Sequence, residues 1–159
     1  MLKVNVKDVP ELSWTSPKGK FVGAGRQVSE ALGRDPESTD LMRRHPFDVE
    51  ILRIPAGKSP YPYHSHSAQW EFYYVLSGSG TVRDPDGTTP ISAGDAFLFQ
   101  PGQAHQLSAD ASGDLTIVVV ADNPFGESTH QPDSNKYVVR SPARAFVQPV
   151  ALTNYDGEE

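Results

Sequence analysis

From Asp48 onward, apolar and β-branched residues recur in short runs, each closed by Gly, Pro, Asp or Ser. That rhythm is the signature of short strands joined by tight turns. It predicts strands over Val49–Ile54, Trp70–Leu76, Gly80–Arg83, Thr88–Ile91, Ala96–Gln100, His105–Leu107, Leu115–Ala121 and Lys136–Arg140. Asp84-Pro85-Asp86-Gly87 reads as a hairpin turn between two of them. Before Asp48 the pattern is weaker. Lys20 to Val28 fits a strand, Arg26 to Leu32 fits a helical turn equally well, and residues 35–47 are polar and Pro-bounded, as in an irregular connection. Many short strands with few helices argue for an all-β closed barrel or jelly roll, folds that dispose of exposed strand edges. The expected division is an N-terminal extension over 1–47 packed on the barrel, the barrel over 48–140, and a C-terminal tail over 141–159, one domain overall.

Composition supports this reading and narrows the partners. Thirteen glycines and fourteen prolines in 159 residues exceed the usual share and suit a turn-rich fold. Twenty acidic against fourteen basic side chains give a net charge of −6, which disfavours nucleic acid and anionic membrane surfaces. The start, MLKVNVKDVPELSW, has no apolar signal-like core, and the longest apolar run, Leu115 to Ala121, is interrupted by Thr116. No membrane span is expected, and the cytoplasm is the default compartment. Cysteine is absent, so any metal must be held by nitrogen and oxygen donors.

Five histidines occur, and His64 and His66 lie two residues apart. On a strand that spacing points both imidazoles to one face. Glu71 follows five residues later at the head of WEFYYVL, and His105 follows the Pro101-Gly102 turn. Two histidines and a carboxylate with open positions suit non-haem iron; a third histidine widens the choice to manganese, zinc, nickel, cobalt or copper. No residues are assigned to an organic cofactor. Alternation places Pro62, Tyr73 and Val75 on the face of the candidate ligands and sends Tyr63, Phe72 and Tyr74 outward. Tyr73 reads as a proton handle or a packed core residue, Gln69 as a partner of the ligands, and Arg53 as an anion contact or a solvated strand residue. His45 and His130 lack a partner at ligand spacing and are expected to be exposed. Trp70, Phe72 and Tyr74 form an outward apolar stripe that a second subunit would cover.

Two stretches carry a family resemblance. GKSPYPYHSHSAQWEFYYVLSG, from Gly57 to Gly78, resembles the first cupin motif: glycine, H-x-H, four residues to Glu71, six more to Gly78. GDAFLFQPGQAH, from Gly94 to His105, is similar to the second. The resemblance implies a cupin-type double-stranded β-helix, a jelly-roll barrel, with one divalent metal held by His64, His66, Glu71 and His105. It implies a homodimer as well. Departures are one extra residue between Gly57 and His64, a proline directly before Gly102, and Ala109 where asparagine is frequent, the last pointing away from the germin-like branch. The expected function is that of a metal-dependent enzyme acting on a small oxygenated, sugar- or keto-acid-like substrate by dioxygenase or isomerase chemistry. The alternative is a non-catalytic module that binds or senses a small molecule.

Overall fold

The computed structural model describes residues 1–139, 144–151 and 156. The N-terminal extension, expected to be irregular, supplies a strand pair, β1 (Leu12–Thr15) and β2 (Val22–Gln27). A helical turn follows at once, α1 (Val28–Ala31), so both readings of Lys20 to Leu32 are realised in succession. A second short helix, α2 (Leu41–Arg44), punctuates the polar connection, with the Asp40 side chain accepting from the Met42 amide at its start. The barrel strands are β3 (Phe47–Ile54), β4 (Ser65–His66), β5 (Glu71–Ser77), β6 (Ser79–Asp84), β7 (Gly87–Ser92), β8 (Ala96–Phe99), β9 (Gln106–Ala109), β10 (Leu115–Asp122), β11 (Ser128–Gln131) and β12 (Lys136–Val139). A last strand, β13 (Ala145–Val147), lies within the expected tail.

Two of the expected strands shift at functional points. The one anticipated over His105–Leu107 opens at Gln106, leaving His105 in a single bridge to His64. Gln100 leaves β8 because its amide is taken by the Gln103 side chain, which closes the Pro101-Gly102 turn. The end expected at Arg140 lies outside the described residues. At the hairpin, the Asp84 carboxylate accepts from the amides of Asp86 and Gly87.

One wall is a six-stranded antiparallel sheet in the order β1-β2-β3-β10-β5-β8. The facing wall has two parts, β13-β12-β11-β4 and β7-β6-β9. The His64–His105 bridge joins β4 to the head of β9 and makes these parts continuous, through His64 N–H to His105 O at 3.1 Å and His105 N–H to His64 O at 2.8 Å. Between the walls, at one end, Leu52, Ile54, Tyr73, Val75, Leu115 and Ile117 pack against Val82, Ile91, Leu107 and Ala109. Ile54, Val75, Leu115 and Ile117 are fully buried, each worth roughly 1.5–3 kcal/mol of apolar burial. The other end holds a cavity lined by both polar and apolar side chains.

Alternation holds along β5. Glu71, Tyr73 and Val75 are buried while Phe72 and Tyr74 are exposed. Tyr63, expected outward, is instead buried beneath the Arg83 guanidinium, 4.0 Å from its ring. Proline neighbours in Pro60-Tyr61-Pro62-Tyr63 place this segment ahead of β4, where period-two reasoning does not reach. His130 is half-buried within β11, stacked on Tyr137 at 4.4 Å, and His45 is half-buried with its carbonyl accepting from Asn123. Neither histidine is the exposed loop residue the sequence suggested.

Candidate metal centre

Local geometry delivers the histidines from one wall and the carboxylate from the other. Gly102 takes the left-handed backbone of the Pro101-Gly102 turn (φ 84°) and donates its amide to His66 O at 2.7 Å, which pins the approach of His105 to β4. The ring of His64 lies 4.8 Å from that of His105 and 5.0 Å from that of His66. From the six-stranded wall, Glu71 Oε2 reaches within 2.9 Å of His105 Nε2 and 3.4 Å of His66 Nε2. Donor atoms of His64, His66 and Glu71 all fall within 4.8 Å of one another. His105 stands outside that tightest group and joins it through Glu71; its ring is fully buried and stacked on Phe99 at 3.9 Å.

The second nitrogen of each ring decides what this cluster is. His64 Nδ1 lies 2.9 Å from Pro62 O, His66 Nδ1 3.0 Å from Glu127 Oε1, and His105 Nδ1 3.1 Å from Gln103 O. Carbonyl and carboxylate oxygens only accept, so each Nδ1 carries the proton and donates. Every Nε2 is then a bare lone pair. These lone pairs converge on a carboxylate that also only accepts, a repulsive arrangement unless a cation lies between them. In keeping with this, His66 Nε2 and Glu71 Oε2 are buried with no hydrogen-bond partner despite their proximity. Three neutral imidazoles and one carboxylate therefore fit a divalent ion, the set expected from the sequence.

For His64 the electrostatics agrees with that protonation pattern. Burial, aided by His105, presses His64 down to about 4, so it is neutral at pH 7. Burial works against the charge of Glu71, and only positive charge and a donated hydrogen bond at the histidine positions hold the carboxyl at about 2; with the rings neutral, a cation among them would have to supply that pull. Tyr73 is buried, its hydroxyl pushed well above the usual phenol range by burial and by Glu71, and lies 3.3 Å from His105 Nε2. It is both core residue and hydroxyl neighbour of the cluster.

Glu127 is the residue that sequence reading overlooked. Besides His66 it accepts from the backbone amides of Ser67, Ala68 and Gln69 and from the Ser67 hydroxyl. Burial disfavours its charge, but His66 and these amides keep its pKa below the usual carboxylate value. It fixes the His66 ring and the turn between β4 and β5 together. No spacing rule connects it to His66 across 61 positions, and it falls between two expected strands, where alternation assigns no face.

Beside the cluster lies a cavity of about 700 Å³. Trp14 and Tyr61, stacked 5.1 Å apart, form part of its wall, with the amides of Gln69 and Asn123 and the carboxylates of Asp48 and Glu50. Gln69 does not touch the histidines; its side chain donates to Asp122 O at 2.6 Å. Arg53 faces away, paired with Glu11 at 2.8 Å and Asp114 at 2.9 Å, and so offers no anion contact in the cavity. Arg34 does line it, but its guanidinium is committed to Glu30 and Asp48. Burial raises Glu50 to about 7, with the nearby Asp48 adding to the effect. Its inward position had a legible signal, since Glu50 is in phase with Leu52 and Ile54, both buried.

Comparison with known proteins agrees with this architecture. Residues 50–121 match the family model of the cupin domain. Over 69 residues the chain is 32% identical to the oxalate-binding protein of Thermotoga maritima, covering 43% of this chain and 56% of that protein, so it spans little more than half of that relative. The crystal structure of a proposed sugar phosphate isomerase from Acidithiobacillus ferrooxidans superposes with a TM-score of 0.80 at 21% identity, covering 96% of each chain. That of a sugar phosphate isomerase from Silicibacter pomeroyi superposes with a TM-score of 0.77, also at 21% identity, over 96% of this chain and 97% of that one. At such identity these two likenesses concern the fold.

Proposed function

We propose that this chain, whose residues 50–121 match the cupin domain, is a cupin and a metal-dependent enzyme acting on a small polyhydroxylated carbonyl compound, an isomerase in reaction class. The observation that carries the reading is the convergence of three Nε2 lone pairs on the Glu71 carboxylate at the edge of a cavity with both polar and apolar walls. His64, His66, Glu71 and His105 would hold the ion. When bound, such an ion acts as a Lewis acid toward a carbonyl and an adjacent hydroxyl oxygen. The rest is the work of this chain's own groups. Trp14 and Tyr61 present flat apolar surface to a ring or carbon chain, and Gln69, whose amide nitrogen is given to Asp122 O, keeps its amide oxygen for a hydroxyl group. Tyr73 holds a hydroxyl proton beside His105. Isomerisation is favoured over dioxygen chemistry because the cavity wall is rich in hydrogen-bonding and acid–base groups. The names of the two full-length structural neighbours point the same way.

A second reading is simple binding, since the curated relative is named for oxalate. The part of the wall formed by β3 disfavours a dianion, since Asp48 and Glu50 face the cavity there and the guanidinium of Arg34 is matched by Glu30 and Asp48, whereas Lys136 and Arg144 on the remaining wall would favour one. Our reading also includes a homodimer through the exposed face of β5 and a cytoplasmic setting, which a cysteine-free composition permits.

Elemental analysis of the purified protein tests the first part, with about one ion per chain expected. His64→Ala, His66→Ala, Glu71→Gln and His105→Ala should each lower that content with secondary structure intact, and full metal in all four variants would remove the assignment. Calorimetric titration of the loaded protein with oxalate and with a pentose separates the two readings. Tight oxalate binding with no response to the sugar would favour the binding module.

A further inference from the structure

Across the cavity from the histidine cluster stands a carboxyl group that the metal site leaves unused. Glu50 lies on β3, in one cross-strand row with Gln27 of β2, Val119 of β10 and Tyr73 of β5. Two strand spacings, roughly 10 Å at the backbone, separate its strand from that of Glu71. A small molecule spans that gap. Glu50 is held from behind, where the Gln27 side-chain amide donates to its Oε1 at 3.0 Å. It also has a seat made for it, because any Cβ on Gly25 would fall on that same oxygen. Asp48, Glu30 and Glu71 are the charged groups that most raise its hold on a proton, Tyr61 feels its charge in turn, and Lys136 and Arg144 line the same cavity. Asp48 and Glu30 are engaged by Arg34, and Glu71 by the imidazoles. Glu50 therefore has an amide behind it, open cavity before it, and, among the described residues, no ion pair.

We propose that Glu50 is the proton carrier of this pocket, shuttling a hydrogen between adjacent carbons of an α-hydroxy carbonyl substrate. The inference rests on the reading that the histidine cluster binds a metal and, with it, that substrate class. In the step, the Glu50 carboxylate removes the proton from the hydroxyl-bearing carbon. The C–H electron pair forms the carbon–carbon double bond of an enediol as the carbonyl pair moves onto oxygen. Glu50 then returns the proton to the former carbonyl carbon while a hydroxyl proton passes between the two oxygens. Hydrogens are redistributed within one molecule, and no oxidant or co-reactant is consumed. A proton-transfer residue works best with a pKa near the working pH. Burial among carboxylates, relieved only by Gln27, places Glu50 near 7.

Glycolohydroxamate, a planar mimic of the enediol, tests this without turnover. Bound as its anion near pH 8, about one unit above the Glu50 value near 7, its proton should pass to ionised Glu50. Calorimetry of the metal-loaded protein in buffers of different ionisation enthalpy should then find almost no proton released by the wild type and close to one released by Glu50→Gln. Gln keeps the size of Glu, and Gln27 can turn its own amide to meet it, so the fold should persist. Gln27→Met keeps Glu50 but removes the donor that stabilises its anion, and should move proton uptake to higher pH. Equal proton release by wild type and Glu50→Gln, or no binding of the hydroxamate to protein shown to carry its metal, overturns the inference. Failure to load metal would instead overturn the functional reading beneath it.

Discussion

At the scale of single residues, the cluster is defined less by its histidines than by what their second nitrogens touch. Pro62, Gln103 and Glu127 each take an Nδ1 proton, and Glu127 alone does so with a charge. Glu127→Gln should therefore keep the fold while lowering metal affinity by about 10–100-fold, read by competition against a chelator. Acid should strip the ion, because protons compete for three imidazoles whose free pKa is near ~6.5. The expected curve of occupancy against pH falls below that value and is steeper than a single proton would give. Glu50 makes an opposite kind of demand. Its folded pKa of about 7 exceeds the ordinary glutamate value of 4.5, so the folded state binds the proton more tightly than the unfolded chain does. Stability from this source is complete below about 4.5 and is lost as pH rises through about 7. Glu50→Gln should thus raise the melting temperature of metal-stripped protein at pH 8, by the equivalent of roughly 3 kcal/mol at most, and leave it nearly unchanged at pH 4. Equal shifts at both pH values would contradict the assignment.

At the scale of elements, the N-terminal strand pair completes the cavity. β1 and β2 extend the six-stranded sheet beyond β3, and with them come Trp14 for the wall, Gln27 for Glu50, and Gly25 as its seat. The indole N–H of Trp14 donates to Pro60 O at 3.0 Å, so the pair also clamps the segment leading to His64. Gly25→Ala should displace the Glu50 carboxylate and alter ligand binding more than metal content, a difference that parallel titrations would reveal. Arg53 links β3 to Glu11 and Asp114 on the outside of the same sheet. Its side chain is about one-third exposed, so Arg53→Ala should cost no more than about 1 kcal/mol in a denaturant melt and leave metal binding intact.

At the scale of the whole molecule, two walls that share an apolar core at one end meet at the other around Glu71 and three imidazoles. An ion bound there ties wall to wall. Chelation should therefore lower the melting temperature, by the equivalent of about 2.7 kcal/mol when free metal stands at one hundred times its Kd. The outer face of the six-stranded sheet carries Phe72, Tyr74 and Leu76 of β5 beside Leu98 of β8, all about 40% exposed or more, with Trp70 just ahead. A second copy would cover this stripe. Light scattering at micromolar concentration should give the mass of a dimer, and Phe72→Lys should give that of a monomer with its metal retained.

The sequence by itself determined the barrel and its candidate ligands, for a physical reason. Strand alternation and turn chemistry are local, so Glu71, Tyr73 and Val75 declare their face within a few residues, and the His64–His66 spacing does the same. Glu50, an acid in phase with Leu52 and Ile54, carries the same local signal, although the sequence reading did not single it out. Tertiary structure decided the rest, because partnership across the barrel leaves no periodic trace. It alone brought Glu127 to His66, Gln27 and Gly25 to Glu50, and Arg34 to Asp48. It likewise turned Arg53 outward into an ion pair and folded Tyr63 under Arg83. Residue types and spacings state which atoms are able to bind; closing the walls settles which lone pairs are left without a proton.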